Sequence, residues 1–583
     1  MADQQRGRTQ RSSSRDGTVS RRPGVQSGKQ ARLSPPSPLD GGEDDDERGI
    51  GALHHIRSRT RSRPNQVVIS WEYNDPENPY NWSDSKKAFV TFLCGMLVIN
   101  STMGSSLPSM AIDSIAARFS VGAAAGQRAL PISVYLVGYV FGPLVWGPVS
   151  EHLGRRRLSL AAFALFCAFT LACGLAPGWP ALLVFRLLCG LCGSCPIAVV
   201  AGILADIYSD PRARGKAFAI FMVATCFGPL LAPILSGYCS STIGWRWTFY
   251  IAAIIGALTL AASLFLPETF GPILLARRAA RLRAEQEKQQ QQQQHQDGEA
   301  QQTHQTAPPP SVVAPRDLES TDLSQLLTVV CTRPVRMVVS EPIVAATCAY
   351  LALVYTVFYM SFQAFPLVFQ RLHGLAPGPA GLCYLPIGAG ACLSLPVFWS
   401  WDHVLASATA AGKPWTAREE ARRLPLAFLG GPMFAASLFW LGWTSRPGLT
   451  FVVPMLAGLP FGFGFMLIFM ALLNYLTDAY DFFAASANAA ASTCRSLLAV
   501  VLPLATVPMF NRLEISGACS LLGALSALMC VIPFVFVWKG PVLRERSPFC
   551  IALRERRAEM QRKAEEQRLT MEHNQNAEKE DMA

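Results

Sequence analysis

Twelve long apolar segments are the feature that most constrains this chain. Each one reaches or nears the roughly 20 residues that a helix needs to cross the hydrocarbon core of a bilayer. Because that core contains no water, the backbone N–H and C=O groups must bond within the segment, as they do in a helix. The sequence therefore predicts an all-α membrane protein with twelve transmembrane helices. The predicted helices cover 88–108, 130–150, 158–175, 180–208, 217–238, 247–266, 342–369, 381–404, 424–443, 451–476, 484–510 and 517–538.

The composition agrees with a membrane protein. Only 16% of the 583 residues are charged, against about 25% in a soluble domain. The formal net charge is +11, but the basic residues lie in tails and loops beside apolar segments, where they orient helices and meet anionic lipid. Membrane lipid is therefore the expected partner, and nucleic acid is not. The sixteen cysteines lie mostly in apolar runs, which argues against a secreted disulfide framework.

Polar segments divide the chain into five parts. The N-terminal and central polar segments lack an apolar face, and the N-terminal one cannot bury enough apolar surface to fold alone. The central one also contains a run of six glutamines, typical of a low-complexity linker. The prediction is a disordered cytoplasmic tail (1–87), a six-helix bundle (88–269), a cytoplasmic linker (270–340), a second six-helix bundle (341–539) and a cytoplasmic tail (540–583).

Basic loops set the expected orientation. With both termini in the cytoplasm, the short inward loops contain the basic runs 155–157, 212–216 and 418–423, while outward loops hold at most two basic residues each. This distribution is typical of cytoplasmic loops. The loop at 478–481 is acidic, but acidic residues have little weight in topology.

The hairpin between the second and third predicted helices contains a candidate conformational latch. Glu151 and Arg155 are four residues apart and can pair if the helix persists through them. Asp206, at the cytoplasmic end of the fourth helix, is placed to join them. The alternative is a basic loop that serves topology alone. Gly138, Gly142 and Gly147 leave a small-residue face on which another helix can pack closely.

The hairpin pattern, Gly147-x-x-x-Glu151-x-x-Gly154-Arg155-Arg156, resembles the loop between helices two and three of the major facilitator superfamily. The leader at 78–87 resembles that of fungal drug–proton antiporters in this family, and Pro-Glu-Thr at 267–269 closes the first half as in related sugar and drug transporters. The resemblance implies a fold of twelve helices in two six-helix bundles, with a substrate site near the midplane between them.

The fifth predicted helix contains a glycine–proline motif. Its members are Gly228, Pro229, Pro233 and Gly237. Proline kinks a helix and glycine lets a neighbour approach, so the motif by itself indicates a bendable, tightly packed helix. It also resembles the helix-five signature of the family's antiporters, which implies export. Ala232 and Leu235 depart from the fuller glycine pattern of that signature.

Two arginines lie deep in predicted spans. Arg186 in helix four and Arg495 in helix eleven are costly in hydrocarbon, so each is expected to face a cavity or a partner. Arg186 also resembles the helix-four arginine of the family's antiporters, which is linked to proton transfer. The alternatives are a buried structural pair for Arg186 and hydrogen bonds to backbone carbonyls for Arg495.

Aromatic and neutral polar groups dominate the presumed cavity. The candidate substrate-binding residues are Asn100, Arg186, Tyr355, Tyr359, Gln363, Phe365, Tyr475, Asn488 and Arg495. Gln363 stands where related exporters are expected to have glutamate. Because the predicted spans contain no deep carboxylate, and a polyamine needs carboxylate partners in a low-dielectric cavity, the set favours amphipathic molecules that are neutral or weakly anionic.

Three cysteines in helix four copy the spacing of a metal-cluster motif. Cys189, Cys192 and Cys195 have the C-x₂-C-x₂-C pattern, but a cluster needs a fourth ligand and a loop that wraps it. We interpret them as packing surface and predict neither a metal nor another cofactor.

These features predict a secondary active transporter that exports amphipathic drugs or secondary metabolites in exchange for protons, as a monomer in the plasma membrane. The sequence contains no nucleophile–base or metal constellation typical of an enzyme. One alternative is a proton-coupled importer of a small nutrient on the same fold, which differs in transport direction. Another is a membrane sensor that binds solute without moving it.

Overall fold

The computed structural model describes residues 66–72, 74–122, 125–296, 311–314, 323–480 and 483–580. Predicted tail residues 1–65 and linker residues 297–310 and 315–322 lie outside this part of the chain. The predicted disorder of the N-terminal tail stays a prediction.

Six helices of the first half are long and apolar enough to cross a membrane. A short helix lies between the first two along the chain. Each predicted span of this half matches one helix to within a few residues, except that the helix of the fifth span, predicted at 217–238, is longer at both ends. The helices are α1 (Asp84–Ser106), the short α2 (Ile112–Arg118), α3 (Ala125–Leu153), α4 (Arg155–Leu175), α5 (Trp179–Ile207), α6 (Pro211–Thr242) and α7 (Arg246–Ser263).

Two helices follow in the region between the halves, and the second half comes next. These are α8 (Gly271–Gln296), α9 (Leu323–Ser340), α10 (Pro342–Phe365), α11 (Pro377–Leu382), α12 (Leu385–Ala410), α13 (Glu419–Arg423), α14 (Pro425–Thr444), α15 (Val452–Leu456), α16 (Gly458–Tyr480), α17 (Ala484–Val501), α18 (Thr506–Met529), α19 (Val531–Arg546) and α20 (Pro548–Glu580). A π-helical turn at Pro366–Leu372 extends α10.

The eleventh and twelfth spans form one helical stretch, Ala484–Arg546, of 63 residues. At about 1.5 Å per residue, it is roughly three times the length needed to cross a core about 30 Å thick. Glu514 has φ 57° and ψ 177°, so it interrupts the helical path inside α18. The two parts, 484–513 and 515–546, are each long enough for one crossing, which confirms twelve spans.

Glycines let helices of the first half approach each other closely, as predicted. A Cβ on Gly138 would lie 2.9 Å from Gly190 Cα, and one on Gly142 would lie 2.7 Å from Ser194 Cβ. Both contacts join α3 to α5. Gly147 has no atom within 4 Å of the same position, so it does not belong to this packing surface.

Regular structure also occurs within the segments predicted as tail and linker. Strands β1 (Gln66–Val68) and β2 (Ser311–Val313) pair in parallel. Arg278 on α8 forms an ion pair with the buried Asp75. The Glu77 backbone N–H and the Arg278 guanidinium lower the pKa of the Asp75 carboxyl. The chain before α1 is therefore tied to the chain after α7.

A central cavity and a charged hairpin

A small cavity lies between the two halves. Its free volume is about 50 Å³, and helices α1, α3, α5 and α6 of the first half and α10, α16 and α17 of the second contribute to its wall. The lining residues are Thr102, Tyr139, Pro143, Ile197, Phe221, Met222, Thr225, Cys226, Pro229, Tyr355, Phe358, Tyr359, Phe465, Met466, Phe469, Ser492, Arg495 and Ser496.

Aromatic rings form one wall of this cavity. Tyr355 and Tyr359 are four residues apart on α10, with ring centroids separated by 4.9 Å. Phe465 and Phe469 have the same spacing on α16 and stack at 4.6 Å. Side chains at i and i+4 share a helix face, so each helix presents a pair of rings. Tyr355 joins the pairs, with its ring 6.0 Å from that of Phe469.

Arg495 is the one charged side chain among the described residues that line the cavity. Its guanidinium lies 5.3 Å from the Tyr355 ring centroid and 5.7 Å from that of Phe469. These distances permit cation–π attraction. Nη2 donates to Ser492 Oγ at 3.4 Å, whereas the buried Nε has no hydrogen-bond partner. The cavity thus combines aromatic surface with an unsatisfied cationic donor.

Arg186 is fully buried but does not line the cavity. Nε donates to Pro131 O at 2.8 Å, Nη1 to Gly104 O at 2.6 Å and Nη2 to Ser105 O at 2.8 Å. The guanidinium also lies 4.5 Å from the Tyr135 ring centroid. Arg186 therefore ties α5 to the backbones of α1 and α3, and its contact with substrate stays a prediction. Its role in proton transfer stays a prediction.

Five other candidates also lie outside the cavity wall. Asn100 donates to Thr259 Oγ1 at 2.9 Å inside the first half. Phe365 packs on Tyr384, and the Tyr475 ring stacks on Phe536. Asn488 donates to Thr477 Oγ1 at 2.8 Å. The side chain of Gln363 is half-buried, and its Nε2 has no hydrogen-bond partner.

Several lining residues were not singled out from the sequence. Tyr139 on α3 bonds to Ser101 at 2.8 Å between the hydroxyl oxygens, and it faces the rings of α10 across the cavity. The sequence could have indicated Phe465 and Phe469 as lining residues, because their i, i+4 spacing places both on one face of a helix. Thr102 and Ser492 have no such pattern, and the sequence shows only that they lie in apolar runs.

The glycine–proline motif of α6 serves both halves. A Cβ on Gly228 would lie 2.7 Å from Met103 N, so this end packs on α1. Pro229 lines the cavity, and its carbonyl accepts a hydrogen bond from Ser106 Oγ at 2.7 Å. Pro233 and Gly237 contact the second half instead. A Cβ on Gly237 would lie 3.1 Å from Gly378 Cα in α11.

At the hairpin between α3 and α4, a buried carboxylate caps α4. Glu268 accepts from Arg155 N at 2.9 Å and from Arg156 N at 3.3 Å. These N–H groups have no partner within the helix, and a negative charge is stabilised at a helix N-terminus. Gly154 has φ +95°, and a Cβ there would lie 2.5 Å from Glu268 Oε2. Glycine is thus required on both counts, and Glu268 was not predicted as a member of the site.

The Arg155 side chain forms the expected ion pair with Asp206 but not the expected one with Glu151. Its Nε lies 3.3 Å from Asp206 Oδ2, and Nη1 donates to Ser150 Oγ. Gly202 leaves room for the guanidinium. Glu151 is exposed and forms no ion pair with Arg155, because it points away from the buried side of the hairpin. The predicted cluster of Glu151, Arg155 and Asp206 is therefore incomplete in this conformation. The role of these residues as a conformational latch stays a prediction.

Comparisons with known proteins agree with this architecture. The family model described as the Major Facilitator Superfamily matches residues 90–503. The chain is 34% identical to the "MFS-type efflux pump MFS2" of Trichophyton rubrum, over 83% of this chain and 77% of the relative. It is 32% identical to "Polyamine transporter 3" of Saccharomyces cerevisiae, over 83% and 73%. The solved proton:xylose symporter XylE superposes with a TM-score of 0.53 at 17% identity, covering 79% of this chain and 96% of that chain, a likeness of fold alone.

Proposed function

The chain belongs to the major facilitator superfamily, and on that premise we propose that it exports neutral or weakly anionic amphipathic compounds, such as antifungal azoles or secondary metabolites, in exchange for protons. The carrying observation is the cavity shared by the two halves, with aromatic walls and Arg495 as its charged group. Apolar and aromatic walls with a few convergent polar groups suit small amphipathic ligands.

The charge of the cavity favours these compounds over polycations. A polyamine brings several positive charges, each of which needs a carboxylate partner in a low-dielectric site. The described residues that line this cavity include no carboxylate. The positive charge of Arg495 repels cations, and its buried Nε, which has no hydrogen-bond partner, can donate to an anionic group. The relative named as a polyamine transporter makes polyamines the second candidate.

The substrate class is tested by export from one fungal strain that expresses the protein. Spermine, a neutral azole and a lipophilic carboxylic acid are loaded, and the efflux of each is measured. We expect export of the azole and of the acid but not of spermine. Arg495→Ala should slow export of the acid by about tenfold, because a hydrogen bond to a charged group contributes about 1.5–3 kcal/mol. Azole export should change less.

Exposed Arg512→Ala is the matched control, since it removes an arginine outside the cavity. It should leave the efflux of all three compounds unchanged. Rapid spermine export that persists in Arg495→Ala would contradict the proposed substrate class.

Export and proton coupling rest on the helix-five motif and on the efflux-pump relative. Purified protein in liposomes, with a pH gradient of either sign, tests both. We expect substrate to move against the proton flow, and faster with a larger gradient. Movement with the protons would instead support a nutrient importer, and binding without flux would support a sensor.

The chain is a multi-pass membrane protein. The proposal also includes cytoplasmic termini, location in the plasma membrane, a monomeric state and the absence of chemical catalysis. The basic inward loops support the orientation. Protease protection of tags at each terminus in intact cells tests it.

A further inference from the structure

A second recess lies in the wall of the second half, between α12 and α14, on a side away from the central cavity. Its volume is about 460 Å³. The spacing of the lining residues explains its shape: each helix contributes one face at intervals of three, four or seven residues. These faces hold Val397, Trp401 and Val404 on α12 and Pro425, Leu426 and Leu429 on α14. Val404 and Leu429 are nearly half exposed, so the groove faces the membrane.

The loop end of this groove is polar. Trp401 Nε1 donates to Arg422 O at 2.8 Å, which fixes the indole where the groove meets the α12–α14 loop. Indoles favour this interfacial depth of a bilayer. Because the Arg422 carbonyl accepts this bond from a lining residue, the backbone of Arg422, in the last turn of α13, borders the groove beside Trp401. Asp402, next to Trp401, does not line the groove.

Arg422 differs from its neighbours in having no acidic partner. Arg423 pairs with Asp478 at 2.7 Å, and Arg544 pairs with Glu420 at 2.5 Å. The structure gives Arg422 no ion pair within the described chain, and its buried Nε has no hydrogen-bond partner. A buried donor without a partner is costly, and an anionic group that reaches the Arg422 guanidinium beside Trp401 lowers that cost.

We propose that the groove is a binding site for one phospholipid of the cytoplasmic leaflet. The phosphate accepts hydrogen bonds from the Arg422 guanidinium, whose planar fork matches phosphate oxygens. One acyl chain lies along Val397, Val404 and Leu429 and fills the groove with apolar contacts. The choice of leaflet follows from the orientation proposed above. A sterol fits the apolar walls but lacks the anion that Arg422 requires.

The experiment is a titration of the full-length purified protein with palmitoyl-oleoyl phosphatidylserine, followed by native mass spectrometry. We expect one lipid to bind more tightly than the rest. Arg422→Gln should weaken that site by about tenfold, since hydrogen bonds to charged groups contribute about 1.5–3 kcal/mol. Arg422→Lys should retain part of the affinity, because it keeps the charge. Leu429→Trp should remove the site by filling the groove, and its exposed position leaves folding intact.

Two matched controls lie elsewhere on the surface. Arg418→Gln removes an exposed arginine of the same loop, and Leu258→Trp adds bulk at a residue of α7 that is 67% exposed. Both should bind lipid as the wild type does. Equal loss in Arg418→Gln, or unchanged binding in Arg422→Gln, would overturn the proposal. So would displacement of the lipid by inorganic phosphate, which indicates a free-anion site, or by ergosterol, which indicates a sterol groove.

Discussion

At the scale of single residues, Gly154 and Glu268 determine how the hairpin starts α4. Gly154→Ala places a side chain at φ +95° and ψ 152°, a region that is essentially restricted to glycine and costs another residue about 1–3 kcal/mol, and pushes it against Glu268 Oε2 at 2.5 Å. We therefore expect the unfolding free energy to fall by about 2 kcal/mol or more once the cap is weakened. Thermal unfolding in detergent measures this. Gly147→Ala, with no atom within 4 Å, is the control and should unfold like the wild type. Equal melting of the two variants would contradict the argument.

The Arg155–Asp206 pair is testable by a double-mutant cycle. Arg155→Ala and Asp206→Asn should each slow transport, and together should be less harmful than their sum, with a coupling of about 0.5–3 kcal/mol for groups in contact. Glu151→Gln should combine additively with Arg155→Ala, because Glu151 is exposed and makes no ion pair with it. Transport rates in liposomes give all three values. Coupling of Glu151 with Arg155 as strong as that of Asp206 would show that the latch forms in another conformation.

The sequence predicts depth in the membrane better than direction around a helix. Tyr355, Tyr359 and Arg495 were predicted and line the cavity, whereas Asn100 and Tyr475 were predicted at suitable depth and face their own half. A helix that is apolar all round has no polar face to contrast with a buried one, so composition does not reveal which face meets the other half. Glu268 was missed because a buried helix cap depends on a contact 113 residues away in sequence.

At the scale of elements, α6 offers a contrast between its two motif glycines. Gly228→Ala puts a Cβ 2.7 Å from Met103 N inside one half, and such overpacking typically costs about 1–3 kcal/mol. We expect a lower unfolding temperature for this variant. Gly237→Ala overlaps α11 of the other half, which can move away, so it should unfold nearly like the wild type.

Gly237→Ala should instead change the conformational equilibrium. The added methyl group favours states in which α6 and α11 are apart, so a cysteine-reactive, membrane-impermeant label should reach this interface faster than in the wild type. Gly95→Ala, on a helix with open space around its Cβ, is the control and should label as the wild type does. Similar loss of stability in Gly228→Ala and Gly237→Ala would show that the interface between the halves is as rigid as the packing within one half.

Helix number and order were predictable from apolar length, which bilayer thickness fixes. The residues at which the helices begin and end were less predictable. The eleventh and twelfth spans run together as helix, and their division rests on the backbone of Glu514. The pairing of β1 with β2 and of Asp75 with Arg278 was also unpredicted, because partners more than 200 residues apart leave no local pattern.

At the scale of the whole molecule, the cavity is too small for the proposed cargo. Ligand sites for compounds of drug size measure about 300–1,000 Å³, whereas this cavity measures about 50 Å³. The two halves contact one another beside it, through Tyr359 OH and Ser105 Oγ at 3.1 Å and through α6 and α11. Transport therefore requires the halves to separate on one side of the cavity, as in a rocking mechanism.

That requirement predicts the effect of a cross-link. A Cβ at Gly378 on α11 would lie 3.2 Å from Tyr238 Cγ on α6, the atom next to Tyr238 Cβ, so the two Cβ positions come near the separation of about 3.5–4.5 Å that is typical of a disulfide. Oxidising the variant with Tyr238→Cys and Gly378→Cys should reduce transport in liposomes to background, and reduction should restore it. Gly256→Cys is the control, because its Cβ lies 2.9 Å from Cys167 Sγ within one half; oxidation should leave its transport intact, since each half moves as a unit. Undiminished transport by the oxidised Tyr238–Gly378 variant, with the cross-link verified by mass spectrometry, would mean that this interface stays closed throughout the cycle and that cargo leaves by another route.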